Sequence, residues 1–326
     1  MKVLVTGASG FLGSHIAERF VATGHEVRLL LRVTSNREFL RFPHEEALGD
    51  VTDPASLEAA VAGVDAVVHP AGLIKARSEA DFRAVNETGA ANLLRAVEQR
   101  APDVKRFVYI SSQSAHGASP DGRPRPVDDE PRPVSAYGRS KLGGEDATRL
   151  SMLAERSVIF RMPVIYGPRD PALLPFFKLV RYRLAPLLRG GRNKLSIIFA
   201  TDAARAVVEA TTAEADVGGK TYCPEDGAVY TWRDLLRAIE AAVGHRALML
   251  PVPLAGYQAA GFASELLGRI TGKAHVFDRD KVREMRRKAW VCSSADLQRD
   301  LGWQAHVQIT EGARLTYEWY REAGWL

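Results

Sequence analysis

Tyr137 and Lys141 stand four residues apart in YGRSK. On a helix that spacing puts both side chains on one face, about 6 Å apart along the axis. A phenol with an ordinary pKa of about 10 is a poor acid or base near neutrality. A neighbouring ammonium favours the phenolate, so the pair suits proton transfer to or from a substrate oxygen. Upstream, RFVYISS reads as a strand ending in Ser111 and Ser112. Open α/β sheets bind ligands at the carboxyl ends of their strands, where the Ser112 hydroxyl can hydrogen-bond the reacting oxygen. Alone, a tyrosine and lysine pair is an ordinary surface feature; the serines and a distant glycine turn give it meaning.

That turn is TGASGFLG, which follows the strand through Val3 to Thr6 and places Gly7, Gly10 and Gly13 at the opening of a helix. Glycine permits the tight turn, the approach of backbone to a pyrophosphate and close helix packing, while the helix N-terminus attracts phosphates. The second strand ends in LLLR, with Leu31 where an NAD-preferring site carries a carboxylate, followed by Arg32. A guanidinium there can hold a 2′-phosphate bidentately, which favours NADP(H) over NAD(H); Arg37 is able to share the role, and a plain surface arginine is the alternative. GDVTD closes the third strand and puts Asp50 and Val51 where a carboxylate accepts from an adenine amino group. A helix cap is the other use for such an aspartate, and Asp53 before Pro54 fills that position better.

These residues need a scaffold, and the first half supplies one: β-branched runs alternate with helical patterns beginning at Phe11, Pro54, Glu79 and Ser135. Strands separated by single helices pair in parallel through right-handed crossovers, giving an α/β, doubly wound parallel sheet. Residues 1–166 form this domain, with 195–223 returning to it. Residues 167–194 and 224–326 make a smaller, mostly helical C-terminal substrate lobe. Strands are expected at Leu195 to Phe199 and Lys220 to Cys223, with Thr201 and Asp202 capping a helix through Ala213. Leu248 to Leu267 is nearly uncharged, but Pro251, Pro253, Gly256, Gly261 and Glu265 interrupt it, so it reads as a buried or cleft-lining helix and not a transmembrane span. Peripheral membrane contact stays open.

TGASGFLG, GDVTD, VVHPAG, VNETG, YISSQSAHG, YGRSK and IYGP occur in the order in which they appear in the extended short-chain dehydrogenase/reductases, also called the NAD-dependent epimerase/dehydratase family, and the chain resembles that family. The resemblance implies a Rossmann fold with Ser112 anchoring the substrate oxygen, Tyr137 as acid/base, and Lys141 tuning Tyr137 and holding the nicotinamide ribose. It selects Ser112 over Ser111 by the spacing to the tyrosine. It also implies that Ser9, Phe11 and Leu12 of the glycine turn, His69 to Gly72 with Ala71 among them, Asn86, Pro163 and Val164 surround the cofactor, and that Ser114 and Ile74 face substrate. His69 as a satisfied core histidine and Asn86 as a helix cap are the plain alternatives. Val164 stands where many nucleotide-sugar members carry an asparagine, and Pro163 is similar to the ketoreductase, dihydroflavonol-reductase and hydroxysteroid-dehydrogenase branches. Gly72 replaces the family's usual alanine, and HG at His116 its common YG.

Three functions compete. A carbonyl reductase or alcohol dehydrogenase passes a hydride between nicotinamide and a small, largely apolar substrate, which Leu254, Ala255, Tyr257, Ala259, Ala260 and Phe262 suggest. A nucleotide-sugar epimerase or dehydratase would use the same centre, with Arg181, Arg183, Arg189 and Arg192 on the diphosphate. A non-catalytic cofactor sensor or assembly factor is third, and the intact Ser112, Tyr137 and Lys141 set counts against it. Across 326 residues the formal charge is +5, with basic runs at Lys178 to Arg192 and Lys281 to Lys288. They read as solvated helix faces or as an anionic-substrate site; lacking interleaved aromatics, they do not suggest nucleic acid. Two cysteines exclude a disulfide scaffold and a recognisable metal set, and MKVLVTGASG leaves no room for a secretory signal. A cytoplasmic homodimer packed through the helices near Glu79 and Ser135 is expected.

Overall fold

The computed structural model describes residues 1–256, 258 and 279–326. Strands β1 (Lys2–Thr6), β2 (Glu26–Leu31), β3 (Glu45–Leu48), β4 (Ala66–His69), β5 (Arg106–Ser112) and β6 (Ser157–Met162) join the short strand Thr221–Tyr222 in one sheet. Its order is Thr221–Tyr222, β6, β5, β4, β1, β2, β3, with every pairing parallel. Strand residues alternate between two apolar layers, as a sheet covered on both faces requires. Val3, Val5, Leu29, Val108 and Ile110 pack with Ile16 and Phe20 of α1 (Phe11–Ala22) and Val207 of the helix Ala200–Thr212. Leu4, Leu30, Val67 and Phe107 face Leu57 and Val61 of α2 (Pro54–Val61) and Leu93 and Val97 of a later helix.

That later helix is reached in steps. The run expected from Glu79 is α3 (Glu79–Arg83), a π-helical turn Ala84–Thr88, and α4 (Gly89–Arg100). Ser112 then opens the short α5 (Gln113–His116), and Ser135 caps α6 (Ala136–Leu150). The sheet order turns back between β1 and β4, the switch point at which doubly wound sheets form their crevice.

Beyond β6 several expectations change. Proline has no N–H to continue a ladder, and at Pro163 the chain leaves the sheet; Val164–Tyr166 pairs instead with Ile197–Phe199. The strand expected at Leu195 to Phe199 is therefore split, Lys194–Leu195 pairing with Tyr230–Thr231 and Ala289–Trp290. Thr201 and Asp202 do not cap their helix, which begins at Ala200 after Phe199 without a side-chain cap. Asp202 Oδ2 accepts from the backbone amides of His306 and Val307, both at 2.9 Å, and so ties the C-terminal segment to this helix. Leu248–Val252 is a strand parallel to Leu184–Leu188, not part of a helix. Tyr257, Ala259, Ala260 and Phe262 lie outside the described residues. Among the described residues no helix is long and apolar enough to cross a membrane. A separate core, including Phe177, Ile197, Leu236, Ile239, Ala313 and Tyr320, joins the helices Leu174–Arg181, Trp232–Val243 and Ile309–Glu322.

Burial lowers the pKa of His15 to about 4 and that of His69 to about 3, from 6.5. Both stay neutral in the folded chain and charge on unfolding, so their contribution is intact above 6.5 and is lost as pH falls toward those values. Unfolding free energy from urea titrations is expected to drop by about 2 kcal/mol per such histidine between about pH 7 and pH 5. His15→Gln, which keeps a donor for the Pro168 carbonyl, should flatten that dependence; an unchanged slope would refute the assignment.

Candidate active site

The glycine turn has the shape a dinucleotide needs. Gly7 adopts φ +61°, and a Cβ on it would fall 2.7 Å from the Ala71 Cα. A Cβ at Gly13 would overlap the Gly7 carbonyl, so α1 lies against the turn only because both residues are glycine. Gly10 is the exposed N-cap of α1 and makes no side-chain cap bond. The first-turn amides are thereby left to a ligand, and a phosphate is the anion that helix N-termini favour. Half-buried Ser9, Phe11 and Leu12 flank the turn. Thr6 Oγ1 lies 2.7 Å from His69 Nδ1 and accepts from the Ala71 amide at 3.3 Å, which ties β1 to the end of β4. His69 Nε2 is buried with no hydrogen-bond partner among the described residues. The cradle fits a nicotinamide dinucleotide, whose chemistry when bound is to give or take a hydride.

At the far end of the crevice Arg32 is 64% exposed, its guanidinium 3.8 Å from the Asp50 carboxylate. Asp50 Oδ1 accepts from the amide and hydroxyl of Thr52, both at 2.8 Å. Arg37 is committed to Glu46 through two bonds of 2.9 Å, so Arg32 is the more loosely held cation. Asp53 sits at the N-cap of α2 with Pro54 following, but makes no side-chain cap bond. Val51 is buried, and its carbonyl accepts from Asn92 Nδ2 at 2.9 Å.

Helix α6 brings the reactive groups together. Ser135 Oγ accepts from the Gly138 amide at 3.0 Å, which starts the helix at Ala136 and sets Tyr137 in its first turn. Ser112, at the end of β5, accepts from the Ser114 amide at 3.1 Å and acts to lower the proton affinity of the Tyr137 phenol. Ser111 turns the other way, donating to buried Glu145 Oε1 at 2.6 Å. Lys141 is buried, donates to the Ile110 carbonyl at 2.8 Å and lies 5.0 Å from the Tyr109 ring centre; burial lowers its pKa to about 8. A Cβ at Gly72 would come within 2.9 Å of Lys141 Nζ and 2.8 Å of Asn86 Oδ1. The departure to glycine thus opens the passage above the lysine. Asn86 is fully buried and spends its amide on the Leu73 backbone, at 2.7 and 3.0 Å, and on Ser140 Oγ at 2.9 Å. It braces the loop after β4. Ile74 on that loop is 62% exposed, Ser114 and Val164 are half-buried, and Pro163 is buried.

Two findings depart from the sequence reading. Tyr137 is not lowered by Lys141: burial pushes the phenol up to about 12, Ser112 opposes that, and the charge of Glu284 adds to it. The lysine instead spends its ammonium on the Ile110 carbonyl and the Tyr109 face. The second is the helix Arg279–Met285, whose Glu284 Oε1 accepts from Ser135 Oγ at 2.7 Å and whose Asp280 Oδ2 accepts from the Ala136 amide at 2.6 Å. Reading Lys281 to Lys288 as basic passed over Glu284 within it and Asp280 just before it, four residues apart, the spacing that places both on one helix face.

Residues 3–223 match the model of the NAD dependent epimerase/dehydratase family. The chain belongs to that family. Among family relatives, a protein named ceramide reductase from Caulobacter vibrioides (strain NA1000 / CB15N) is 31% identical, over 99% of this chain and 96% of its own. A 2-alkyl-3-oxoalkanoate reductase from Stenotrophomonas maltophilia (strain K279a) is 29% identical, over 96% of this chain and 98% of its own. The UDP-glucose 4-epimerase of Thermus thermophilus, solved in complex with NAD, superposes with a TM-score of 0.79 at 26% identity, covering 99% of this chain and 100% of that one. This family member is an NAD(P)-dependent oxidoreductase of the extended short-chain dehydrogenase/reductase type.

Removing the Glu284 charge should lower the Tyr137 pKa from about 12. Titration of Glu284→Gln by carbon-labelled tyrosine NMR is expected to move the Tyr137 midpoint to lower pH, and an unchanged midpoint would show that the carboxylate does not act on the phenol.

Proposed function

We propose that this chain is an NADP(H)-dependent ketoreductase for a long-chain, largely apolar carbonyl substrate, with Tyr137 as proton donor. The observation that carries the reading is that Ser112, at the carboxyl edge of the sheet, acts on the Tyr137 phenol of the helix that also carries buried Lys141. As the carbonyl carbon takes a hydride, its oxygen gains the charge of an alkoxide. The Tyr137 O–H donates its proton to that oxygen, and the Ser112 hydroxyl steadies it with a second hydrogen bond. An alkoxide is more basic than any phenolate, so a phenol held at about 12 is still a competent donor to it. Lys141 would hold the nicotinamide ribose, and Ser112 favours the phenolate that remains. Hydride and proton together convert the ketone to an alcohol, and the reverse sequence oxidises it.

Two residues and two relatives support the substrate class. Half-buried Val164 offers no amide to a sugar diphosphate, and exposed Ile74 presents apolar surface on the loop after β4. The relatives named for ceramide and for 2-alkyl-3-oxoalkanoates are reductases of alkyl-bearing compounds. NADP(H) is preferred because Arg32 is exposed and follows Leu31, which adds no competing carboxylate.

Purified protein should oxidise NADPH with a long-chain 3-oxo acyl lipid. Tyr137→Phe should slow turnover by about a hundredfold to ten-thousandfold while binding NADPH normally. Copurification of tightly held NAD⁺ together with turnover of a nucleotide sugar would replace this reading with epimerase chemistry. Arg32→Ala is expected to weaken NADPH binding by about tenfold or more, as loss of a charge-assisted contact implies, and to leave NADH nearly unaffected. Equal losses measured by calorimetry would remove the basis for the 2′-phosphate assignment.

A further inference from the structure

The parallel pair Leu184–Leu188 and Leu248–Val252 has two unlike faces. Ala185 and Leu187 turn inward and are buried in the lobe core. The opposite face sets Leu184 beside Leu248 and Pro186 beside Leu250, because paired residues of parallel strands share a side. Leu248 is 64% exposed, Leu184 and Leu250 39% each, and neighbouring Tyr182 78%. The buried face accounts for the strand pairing; among the described residues nothing accounts for an apolar outer face.

The charge around it is one-sided. Between Asp170 and Asp202 the sequence carries six lysines and arginines and no acid, and between Glu240 and Gln258 it carries Arg246 and no acid. Exposed Lys178, Arg181, Arg183 and Arg246 make no carboxylate pair among the described residues. Several exposed arginines elsewhere are paired, as Arg83 is with Glu87, Arg100 with Glu58 and Arg314 with Glu311, while others such as Arg123 and Arg237 form no such pair among the described residues; what marks this face is that its cations gather beside exposed leucines. Unpaired cations beside leucines and an exposed tyrosine complement an interface that is anionic at its headgroups and apolar below them.

We propose that this face docks the protein on an anionic lipid bilayer, with Tyr182, Leu184, Leu248 and Leu250 entering the headgroup boundary and Lys178, Arg181, Arg183 and Arg246 meeting lipid phosphates. The inference goes beyond the ketoreductase reading, and it is tested without catalysis, so failure of one leaves the other standing.

The test is sedimentation of the full chain with vesicles of phosphatidylcholine alone or mixed with phosphatidylglycerol. The protein should sediment with the mixed vesicles, not the neutral ones, and release as salt screens the charges. Arg181→Glu with Arg183→Glu should weaken binding at least about tenfold, and Leu248→Ser with Leu250→Ser should weaken it in the same assay, with thermal melting unchanged in both. As a second measurement, a Tyr182→Trp reporter should be quenched by brominated lipid only in anionic vesicles. Absence of binding to the mixed vesicles, binding indifferent to both variant pairs, or an unquenched reporter would each overturn the proposal. So would light scattering that shows a dimer dispersed by these variants while vesicle binding persists, since the face would then cover a second copy.

Discussion

The fully buried ion pair between Arg161 of β6 and Glu145 of α6 sets where the reactive helix lies. Arg161 donates from Nε and Nη2 at 3.0 and 2.8 Å, Ser111 of β5 adds a 2.6 Å bond, and Arg149 reaches the same carboxylate from the helix surface. Two charges removed from water are tolerable only when each is matched and hydrogen-bonded, and breaking one such pair costs about 3–5 kcal/mol. The Glu145 carboxyl stays below its usual range despite burial, because Arg161 bonds it. The pair thereby pins α6 in rotation and height against two neighbouring strands. With Glu145 facing the sheet, Lys141 one turn earlier also faces it, and Tyr137 a turn before that reaches the strand end at Ser112.

Around this anchor the site is assembled from both halves of the chain. The cofactor cradle comes from β1, β4 and the N-terminus of α1, where three backbone segments approach too closely for side chains. The opposite end of α6 is held by Asp280 and Glu284, which are more than a hundred residues from Tyr137 in sequence and satisfy the helix N-terminus from outside. One consequence is electrostatic: the carboxylate that steadies the Ser135 cap also raises the proton affinity of the phenol beside it. A donor that releases its proton only to a strong base is suited to an alkoxide and idle toward water.

One scaffold serves relatives named as reductases and a neighbour named as a sugar-nucleotide epimerase. Likeness in overall fold covers both, as the superposition on an epimerase shows. The proposed reading turns on details that the fold leaves free: Val164 is half-buried and apolar, Ile74 is exposed on the loop after β4, and the smaller lobe carries an exposed apolar face beside cations.

By itself the sequence determined the sheet, the glycine turn and the shared face of Tyr137 and Lys141, because each follows from local rules: β-branched runs alternating with helical patterns, a strand-to-helix turn and a four-residue helical spacing. It misjudged the segments after Pro163, where short strands exchange partners across the lobe and no local period records the partner. The family spacing selects Ser112 over Ser111; only the tertiary structure supplied the physical reason, with Ser111 donating to buried Glu145 from the opposite side of the strand. Only it revealed Asp280 and Glu284 bonded to the N-terminus of α6, and the cost of Lys141 being buried. Proton affinity depends on desolvation and on charges that arrive from distant parts of the chain, and neither is written in the spacing of a motif.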